Sequence, residues 1–337
     1  MEPFCRRIWV KMRNMGSRIF KKPAVSVIVP VYNGEKEILK CLSALLNQTT
    51  QTVRVIFVDD GSTDGTRKLL WRYKIKNPWI KILYQNNCGR AAARNKGLKA
   101  VKTKYVMFCD ADDWYENDMC EKMVNAMEEN DVDVAICGIR MKYEAHEEMR
   151  ESDERYYALR FKGLNEIDDR IILETDGSVC NKIFRMEKIR KNGICFLGSV
   201  ETAEDYYFYS TYMSVSKKAF FIERKMYNYV RHPDSIMSKN FDGKSLSDDD
   251  IQMASYLYEF YKHNGFLNKH KDLFWRQWIG SFWASYRYSG KRINKRTKQK
   301  IKKFIEDNYK KYKPADVEIC KEIDEISKEI GKMRKGE

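Results

Sequence analysis

The chain has 337 residues, of which 43% are hydrophobic and 13% aromatic, so it can build a sizeable core and is not a disordered polypeptide. Its 63 basic and 48 acidic side chains leave a net charge of +15, and its six prolines and 17 glycines exclude a collagen-like or linker-dominated chain. No run reaches the roughly 18 apolar residues that a membrane-spanning helix needs, so we expect no integral membrane segment.

The excess positive charge lies in two short segments. Residues 1–22 carry seven basic and one acidic side chain, residues 291–313 carry eleven and two, and the remainder carries 45 of each. Both segments interleave cations with Ile, Trp or Phe, which suits an anionic membrane or an acidic polymer better than nucleic acid. The alternative is a solvated basic surface that keeps the protein soluble. Since the N-terminal run lacks the apolar core of a secretory signal, we expect a cytoplasmic protein, peripheral at the inner face of the membrane.

The nine cysteines indicate reduced thiols. They are odd in number, form no CxxC pair and mostly sit in apolar runs. This pattern is typical of buried cysteines and argues against disulfides and against a metal site built on sulfur.

Strand and helix signals alternate through the first 138 residues. Short β-branched runs predict buried parallel strands, and segments of helical period lie between them. The predicted strands are 25–31, 53–59, 80–85, 104–110 and 132–138, and the predicted helices are 35–48, 64–76, 91–101 and 117–129. This order predicts an α/β fold, a Rossmann-like and mostly parallel sheet flanked by helices, with right-handed crossovers.

The second half of the chain is patterned differently. A charged, aperiodic stretch at 140–160 suggests a surface excursion, and it is followed by a helix near 164–174, a mixed segment to 230 and an α-helical region from about 246 to 334. We predict a basic N-terminal extension, a catalytic domain with a nucleotide-binding half and an acceptor half, and a helical C-terminal region: 1–23, 24–240 (24–138 and 139–240) and 241–337.

Polar and acidic residues collect where the predicted strands end. Strand one runs into Pro30-Val31-Tyr32-Asn33, strand two into Asp59-Asp60-Gly61-Ser62-Thr63-Asp64, and strand four into Asp110-Ala111-Asp112-Asp113. Each run alone is also compatible with a turn, a helix cap or an acidic loop. Together, at the edge where open α/β sheets bind ligands, they favour a divalent cation, Mg²⁺ or Mn²⁺, with a nucleotide diphosphate.

Four motifs in this region resemble a known family. SVIVPVYNGEKEILKCLSALLNQT, VIFVDDGSTDGT, NNCGRAAARNKGL and YVMFCDADD follow one another over residues 24–115. In this order they are similar to the nucleotide-binding half of family 2 glycosyltransferases, which have the GT-A fold and use nucleotide sugars. NKIFRMEKIRKNGICF, ETAEDYYF and YNYVRHPDSIM resemble acceptor-side segments of the bacterial cell-surface polysaccharide branch. The resemblance covers roughly residues 24–237 and leaves the helical C-terminal region open.

The resemblance implies a role for each matching residue on the donor side. Asp59 would accept from an imide N–H of the base, which favours uridine, although thymidine offers the same edge. Asp112 would hold the metal on the diphosphate. Contacts with the nucleoside, ribose or donor sugar are implied for Pro30, Tyr32, Asn33, Asn87, Arg94, Asp110, Ala111 and Asp113.

The resemblance also implies the chemistry of transfer. Asp205 matches the base that takes the proton of the acceptor hydroxyl, and Glu204 would orient the acceptor or the base. The alternative reading is two carboxylates in the first turn of a helix. One base and no carboxylate nucleophile imply a single displacement with inversion at the anomeric carbon. The acceptor would be a hydroxyl of a glycan or of a lipid-linked sugar.

A further cluster lies in YVRHPDSIM. Arg231 and Ser235 can donate to phosphate oxygens, and neutral His232 can ligate the metal, although a plain surface loop is the alternative. Lys182 is a further candidate for a cationic contact with the donor. The predicted helical C-terminal region contains four aromatic residues at helical spacing: Trp275, Trp278, Phe282 and Tyr286. This spacing indicates either core packing or a platform for a sugar or a membrane.

Two other classes of function compete with transfer of a sugar. A nucleotidyl-transferring α/β enzyme would usually carry a glycine-rich GxxxxGK phosphate loop, and the sequence has none. A non-catalytic binding protein that kept the fold would be expected to lose Asp112 or Asp205, and both are present.

Overall fold

Nine strands form one mixed sheet in the computed structural model, which describes residues 23–143, 159–200, 203–231, 247–288 and 295–332. Their order across the sheet is β3-β2-β1-β4-β8-β6-β9-β5, and β7 pairs with β9. The strands are β1 (Val25–Val31), β2 (Val53–Asp59), β3 (Ile80–Tyr84), β4 (Tyr105–Phe108), β5 (Trp114–Tyr115), β6 (Val134–Tyr143), β7 (Gly163–Glu166), β8 (Lys182–Arg185) and β9 (Lys218–Arg231).

The first four strands of that order are parallel. Val25 on β1 is opposite Val53 on β2 and Tyr105 on β4, and β2 continues the parallel pairing to β3. Every residue of β1 and of β4 is buried, as expected when helices cover both faces of a parallel sheet. The parallel arrangement brings the carboxyl ends of these strands to one edge, where the predicted site residues follow.

The other half of the sheet is mixed. β8 runs antiparallel between β4 and β6, β6 pairs with β9 in parallel, and β5 and β7 join β9 antiparallel. The predicted α/β class is confirmed, but the sheet is parallel mainly among β1, β2, β3 and β4. β8 lies about 75 residues beyond β4 in the chain, a pairing that local sequence pattern does not reveal.

Helices flank the sheet and form the C-terminal region. They are α1 (Ile38–Leu46), α2 (Thr66–Lys76), α3 (Arg90–Ala100), α4 (Met119–Glu129), α5 (Asp169–Glu174), α6 (Met186–Lys191), α7 (Glu204–Ser214), α8 (Ser247–His263), α9 (Lys271–Tyr288), α10 (Lys295–Asn308) and α11 (Val317–Lys332). The helix predicted near 164–174 is shorter than expected, because residues 163–166 pair with β9 as a strand.

The C-terminal helices surround an aromatic core. Trp275 is fully buried, and its indole Nε1 donates to the carbonyl oxygen of Tyr312 at 2.7 Å. Trp278, Phe282 and Tyr286 belong to the same core, which also includes Leu197, Val200 and Tyr207 from the part of the chain before α8. The aromatic stripe predicted from sequence therefore packs inside the protein, and the alternative of a sugar or membrane platform is wrong for these side chains.

The basic helix α10 also turns its apolar residues inward. Ile301 is buried, and Phe304 and Ile305 pack against the same aromatic core. Its lysines face solvent, so any contact of this helix with an anionic surface is electrostatic. The rest of the predicted basic segments, residues 1–22 and 291–294, lies outside the described residues. Among the helices that the structure describes, none is long and apolar enough to cross a bilayer.

Gly97 fixes the distance between α3 and the sheet. A Cβ at this position would lie 2.5 Å from Cγ2 of Ile28 on β1, so only a glycine allows the present approach. We expect Gly97→Ala to destabilise the protein by about 1–3 kcal/mol in chemical denaturation, because either the helix or the buried Ile28 must move.

The matched control is Gly280→Ala on α9, where a Cβ meets nothing within 4 Å. This change should leave stability unchanged or raise it by up to about 1 kcal/mol through helix propensity. Equal stability of the two variants would contradict the tight packing of α3 on β1.

Candidate active site

The loops that follow β1 and β2 are joined by hydrogen bonds. Asn33, in the left-handed region at a φ of 50°, donates its backbone N–H to Ser62 Oγ at 3.0 Å and accepts from Thr63 N–H at 2.8 Å through its side-chain oxygen. The carboxylate of Glu35 accepts from the backbone N–H of Gly65 at 2.8 Å, at the start of α2. Two of the predicted site loops therefore form one rigid unit.

The carboxylate of Asp59 is fully buried at the end of β2. Its two oxygens accept from the backbone N–H of Ser62 and from Nε of Arg67, each at 2.9 Å. The residue predicted to read the base therefore organises its own loop as well. Because each carboxylate oxygen has a second lone pair, these bonds leave acceptor capacity on Asp59.

Asp60, to which the sequence analysis assigned no role, joins the loop after β2 to the loop after β3. Its carboxylate accepts from Gln85 Nε2 at 2.7 Å and from the backbone N–H groups of Cys88 and Gly89 at 3.0 and 2.9 Å. The same two loops touch at Gly61, where a Cβ would lie 2.8 Å from the backbone nitrogen of Asn87.

The predicted nucleoside contacts differ in exposure. Tyr32 is 50% exposed, and Asn87 is also exposed, so both side chains are accessible to a ligand at this edge. Pro30 is buried within β1, opposite Val58 of β2, so it forms part of the end of the strand and is not exposed at the site.

A fully buried arginine occupies the centre of the site. Arg94 on α3 donates through one terminal nitrogen to Asp110 at 2.7 Å, and through the other to Glu204 at 3.0 Å and Asp205 at 2.6 Å. Its guanidinium also lies 5.3 Å from the ring centroid of Phe196. Sequence reasoning placed Arg94 at the base or sugar of the donor, whereas in the structure it links the loop after β4 to the first turn of α7.

Glu204 is held by two arginines. Its side chain is 2% exposed and accepts from Nε of Arg90 at 2.6 Å in addition to the bond from Arg94. Ala203, at a φ of 64°, starts α7 so that Glu204 and Asp205 form its first turn. Arg90 is a site residue that sequence reasoning missed, although its position one helical turn before Arg94 is the signal that identifies it.

Asp205 remains partly accessible, with 26% of its side chain exposed. Burial raises the pKa of Asp205 to about 6; the charge of Arg94 opposes this rise and that of Glu204 adds to it. A carboxylate with this pKa is ionised at neutral pH and is more basic than an ordinary aspartate, which is the property a general base requires.

Asp110, on the loop after β4, is the third carboxylate that Arg94 binds. Burial alone would raise the pKa of Asp110, but the charges of Arg94 and Arg90 outweigh it and hold the pKa below its usual value, with the Cys180 thiol adding a hydrogen bond. Cys180 is a second residue that sequence reasoning missed. Asp110 is therefore an anion at neutral pH, 23% exposed, at the head of the acidic loop.

The rest of the acidic loop divides into a buried and an accessible part. Asp113 is buried and accepts from the Tyr227 hydroxyl and from the backbone N–H of Val230 at 2.7 Å, so it ties the loop to β9. Burial, followed by the charges of Asp112 and Asp110, raises the pKa of Asp113 well above its usual range. Ala111 and Asp112 are only partly buried.

Asp112 fits the requirements of a metal that arrives with its substrate. Within the described residues, no group of three or more His, Cys, Asp and Glu side chains is placed to hold a metal by itself. Mg²⁺ and similar ions are commonly bound through one or two carboxylates plus substrate phosphates, and Asp112 can supply one such ligand. The other predicted ligand, His232, lies outside the described residues, as does Ser235, whereas Arg231 ends β9 opposite Tyr143.

Lys182 has its ammonium group enclosed. Its Nζ donates to the backbone oxygens of Asp176 and Ser178 at 2.8 and 2.6 Å and to Asn181 Oδ1 at 2.8 Å, and it lies 3.2 Å from the Asp176 carboxylate. Burial lowers the pKa of Lys182. The predicted contact with the donor would require one of these bonds to break, because an ammonium has three hydrogens.

The chain has the GT-A-like fold of two solved structures. S. aureus TarS 1–349, solved in complex with UDP-GlcNAc, superposes with a TM-score of 0.57 over 94% of this chain and 93% of that one, at 22% sequence identity. The mannosyltransferase PcManGT of Pyrobaculum calidifontis, solved with GDP-Man and Mn²⁺, covers 98% of this chain with a TM-score of 0.55 at 15% identity.

Sequence comparison then gives the family. Residues 26–193 match the family described as Glycosyl transferase family 2, so this segment of the chain belongs to that family. The putative glycosyltransferase EpsH of Bacillus subtilis is 30% identical over 229 residues, 64% of this chain and 63% of EpsH. The poly(ribitol-phosphate) beta-glucosyltransferase of Bacillus spizizenii is 28% identical over 74% of this chain, which spans 40% of that protein.

The buried arginine yields a stability prediction. Arg94→Met keeps side-chain volume but leaves Asp110, Glu204 and Asp205 without their shared cation, so we expect a loss of about 3–5 kcal/mol in urea denaturation. The control is Lys104→Met, which breaks a surface pair with Glu128 in which both side chains are about half exposed. That change should cost less than about 1 kcal/mol, and similar losses for the two variants would contradict the central role of Arg94.

Proposed function

We propose that the protein transfers a sugar from a nucleotide diphosphate donor, UDP-sugar by preference, to a hydroxyl of a glycan or lipid-linked acceptor, with inversion at the anomeric carbon. The observation that carries this proposal is Asp205: an accessible carboxylate with a raised pKa, fixed by Arg94 beside the donor-side Asp110. The basicity of Asp205 and its place beside Asp110 support its assignment as the base of a single displacement.

The donor would bind across the three joined loops at the carboxyl edge of the sheet. Tyr32 and Asn87 are exposed there for contact with the nucleoside. Asp59 is fully buried, so its contact with the imide N–H of uracil would require the Arg67 side chain bonded to it to move. That the fold neighbour TarS was solved with UDP and with UDP-GlcNAc supports uridine over the equally compatible thymidine. The donor sugar would face Asp110 and Ala111. Asp113, which the sequence also assigned to this contact, is buried with both carboxylate oxygens bonded to β9, so its role is to hold the loop.

The diphosphate would carry Mn²⁺ or Mg²⁺ to Asp112, with Arg231, His232 and Ser235 as the remaining contacts. When bound, the ion offsets the negative charge that develops on the leaving diphosphate. The Mn²⁺ in the complex of PcManGT supports a divalent ion in this fold. The protein would contribute the position of Asp112, because the neighbouring Asp113 anchors the acidic loop to β9.

Transfer needs one proton acceptor. The acceptor oxygen attacks the anomeric carbon, the bond from that carbon to the diphosphate oxygen breaks, and Asp205 takes the hydroxyl proton. Arg94 is already bonded to one oxygen of Asp205, so it holds the carboxylate in place while the exposed part receives the proton. Glu204 pairs with both Arg90 and Arg94, so its own buried charge is compensated and it links the two arginines.

The acceptor is proposed to be a bacterial cell-surface polysaccharide or its lipid-linked precursor. The support is the similarity to EpsH and to the poly(ribitol-phosphate) beta-glucosyltransferase, of which this chain spans 63% and 40%. Such an acceptor would place the protein at the inner face of the cell membrane. The cations on α10 and the basic segment 1–22 would then favour an anionic surface.

Substitution of the base tests the proposal. Asp205→Asn keeps an oxygen that can accept from Arg94 but cannot take a proton. We expect kcat for transfer to fall about 10²–10⁴-fold, while the Kd for UDP in the presence of Mn²⁺ changes less than about threefold. The control is Asp118→Asn, the same change at a partly exposed carboxylate that pairs with Arg224, and it should retain full turnover. Unchanged turnover in Asp205→Asn would refute the assignment.

The raised pKa of Asp205 predicts the acid limb of the rate profile. Because only the ionised carboxylate accepts a proton, kcat/KM for the acceptor should fall with a slope of one below about pH 6 and level off above about pH 7. The measurement is the initial rate at saturating UDP-sugar across this range, with thermal unfolding at each pH as the control for stability. An acid limb centred near the ordinary aspartate value of 3.8 would contradict the environment described for Asp205.

A further inference from the structure

Helix α2 presents an exposed apolar pair in a strongly basic surrounding. Trp71 is 53% exposed and Ile75 is 65% exposed, and they lie one helical turn apart on the same side. The helix Thr66–Lys76 carries five basic residues and no acidic one. This composition is unusual for a solvent-facing helix, in which charges of both signs normally mix.

The basic residues flank the apolar pair on both sides. At about 100° per residue, Lys68 and Arg72 lie within about 100° of arc of Trp71 and Ile75, and all four side chains are exposed. On the other flank, Nζ of Lys74 lies 5.4 Å from the ring centroid of Trp71. The exposed face, defined here as Lys68, Trp71, Arg72 and Ile75, therefore has an apolar centre and a cationic border.

The opposite side of α2 supplies all the packing that the fold needs. Thr66 and Leu70 are fully buried, and Leu69 and Tyr73 pack against the main core. Trp71 and Ile75 thus contribute little to folding, while they expose apolar area that water disfavours.

We propose that this face of α2 docks on the surface of an anionic lipid bilayer. Tryptophan favours the interfacial region of a membrane, an aliphatic side chain beside it gains from the acyl boundary, and lysine and arginine are attracted by anionic headgroups. The residues of this face belong to neither of the basic segments 1–22 and 291–313. It also differs from α10 in mechanism, because α10 buries its apolar side in the protein.

Other occupants fit the face less well. A second copy of the chain would bring five cations of its own α2 against the same five, which repel each other. An anionic glycan would satisfy Lys68 and Arg72, but the aliphatic Ile75 gains nothing from sugar hydroxyls, and a helix face is convex rather than a cleft.

Docking through α2 would also orient the molecule. The helix begins directly after the loop of residues 60–65, and Arg67 in its first turn binds Asp59. Attachment of this helix to a bilayer would therefore hold the loop of residues 60–65 close to the membrane. The docking itself is independent of the proposed reaction, and it is tested without measuring transfer.

The experiment is co-sedimentation of the full chain with vesicles of phosphatidylcholine, with or without about 30% phosphatidylglycerol, at about 0.15 M salt. We expect binding to the anionic vesicles that falls at least about fivefold in the double variant Trp71→Ser, Ile75→Ser, whose charge is unchanged. The matched control is Leu164→Ser, Val317→Ser, which removes two other exposed apolar side chains and should bind within about twofold of the parent. Thermal unfolding of each variant verifies that it is folded.

A second pair of variants separates local from overall charge. Lys68→Ser, Arg72→Ser should weaken binding to the anionic vesicles more than Lys300→Ser, Lys303→Ser, which removes the same charge from the exposed side of α10. Equal losses from the two pairs would attribute binding to net charge and would overturn the proposal. So would a parent chain that does not bind anionic vesicles, or a folded Trp71→Ser, Ile75→Ser variant that binds them as the parent does.

Discussion

The site depends on the ion cluster around Arg94. One guanidinium, entirely removed from solvent, bonds carboxylates that come from the loop after β4 and from the first turn of α7. Without a cation, three carboxylates so close together would repel each other and would be expensive to bury. With it, the pKa of Asp110 stays below its usual value. At Asp205 burial raises the pKa to about 6 although Arg94 opposes the rise, so burial and the shared cation together give two aspartates different properties.

The rest of the fold serves to bring that cluster together. Gly97 lets α3 lie close enough to β1 for Arg94 to reach the carboxyl edge of the sheet. Asp60 then fixes the start of the same helix by accepting from the N–H groups of Cys88 and Gly89. The packing of Gly97 on β1 thereby sets the distance of α3 from the sheet, and the Asp60 carboxylate fixes the position of its N-terminal end.

Local pattern in the sequence was sufficient for the first half of the fold. The β-branched runs at 25–31 and 53–59 are strands over those residues, and the acidic motifs lie at the strand ends because parallel strands share an edge. Long-range pairing was not accessible in the same way. The insertion of β8 beside β4 and the strand at 163–166 depend on partners far along the chain, and propensity does not encode them.

The candidate site shows the same limit at the level of single residues. Motifs identified Asp110, Asp112 and Asp205, but the partner of each side chain is a tertiary property. Arg94 and Lys182 were both predicted to contact the donor. In the structure both side chains donate hydrogen bonds to neighbouring oxygens of the protein instead. The sequence shows that a side chain is a cation, but only the folded chain shows which carboxylate or carbonyl oxygen accepts its hydrogen bonds.

The position of β8 also constrains how the two halves of the catalytic region are related. Because β8 pairs with β4 and with β6, the sheet is continuous across the predicted boundary between residues 24–138 and 139–240. Without β8, the edge of β4 would be bare, an open template for strands of other molecules. The two halves are thus not interchangeable modules, and recombination between relatives can exchange an acceptor half only with a strand that seals this edge.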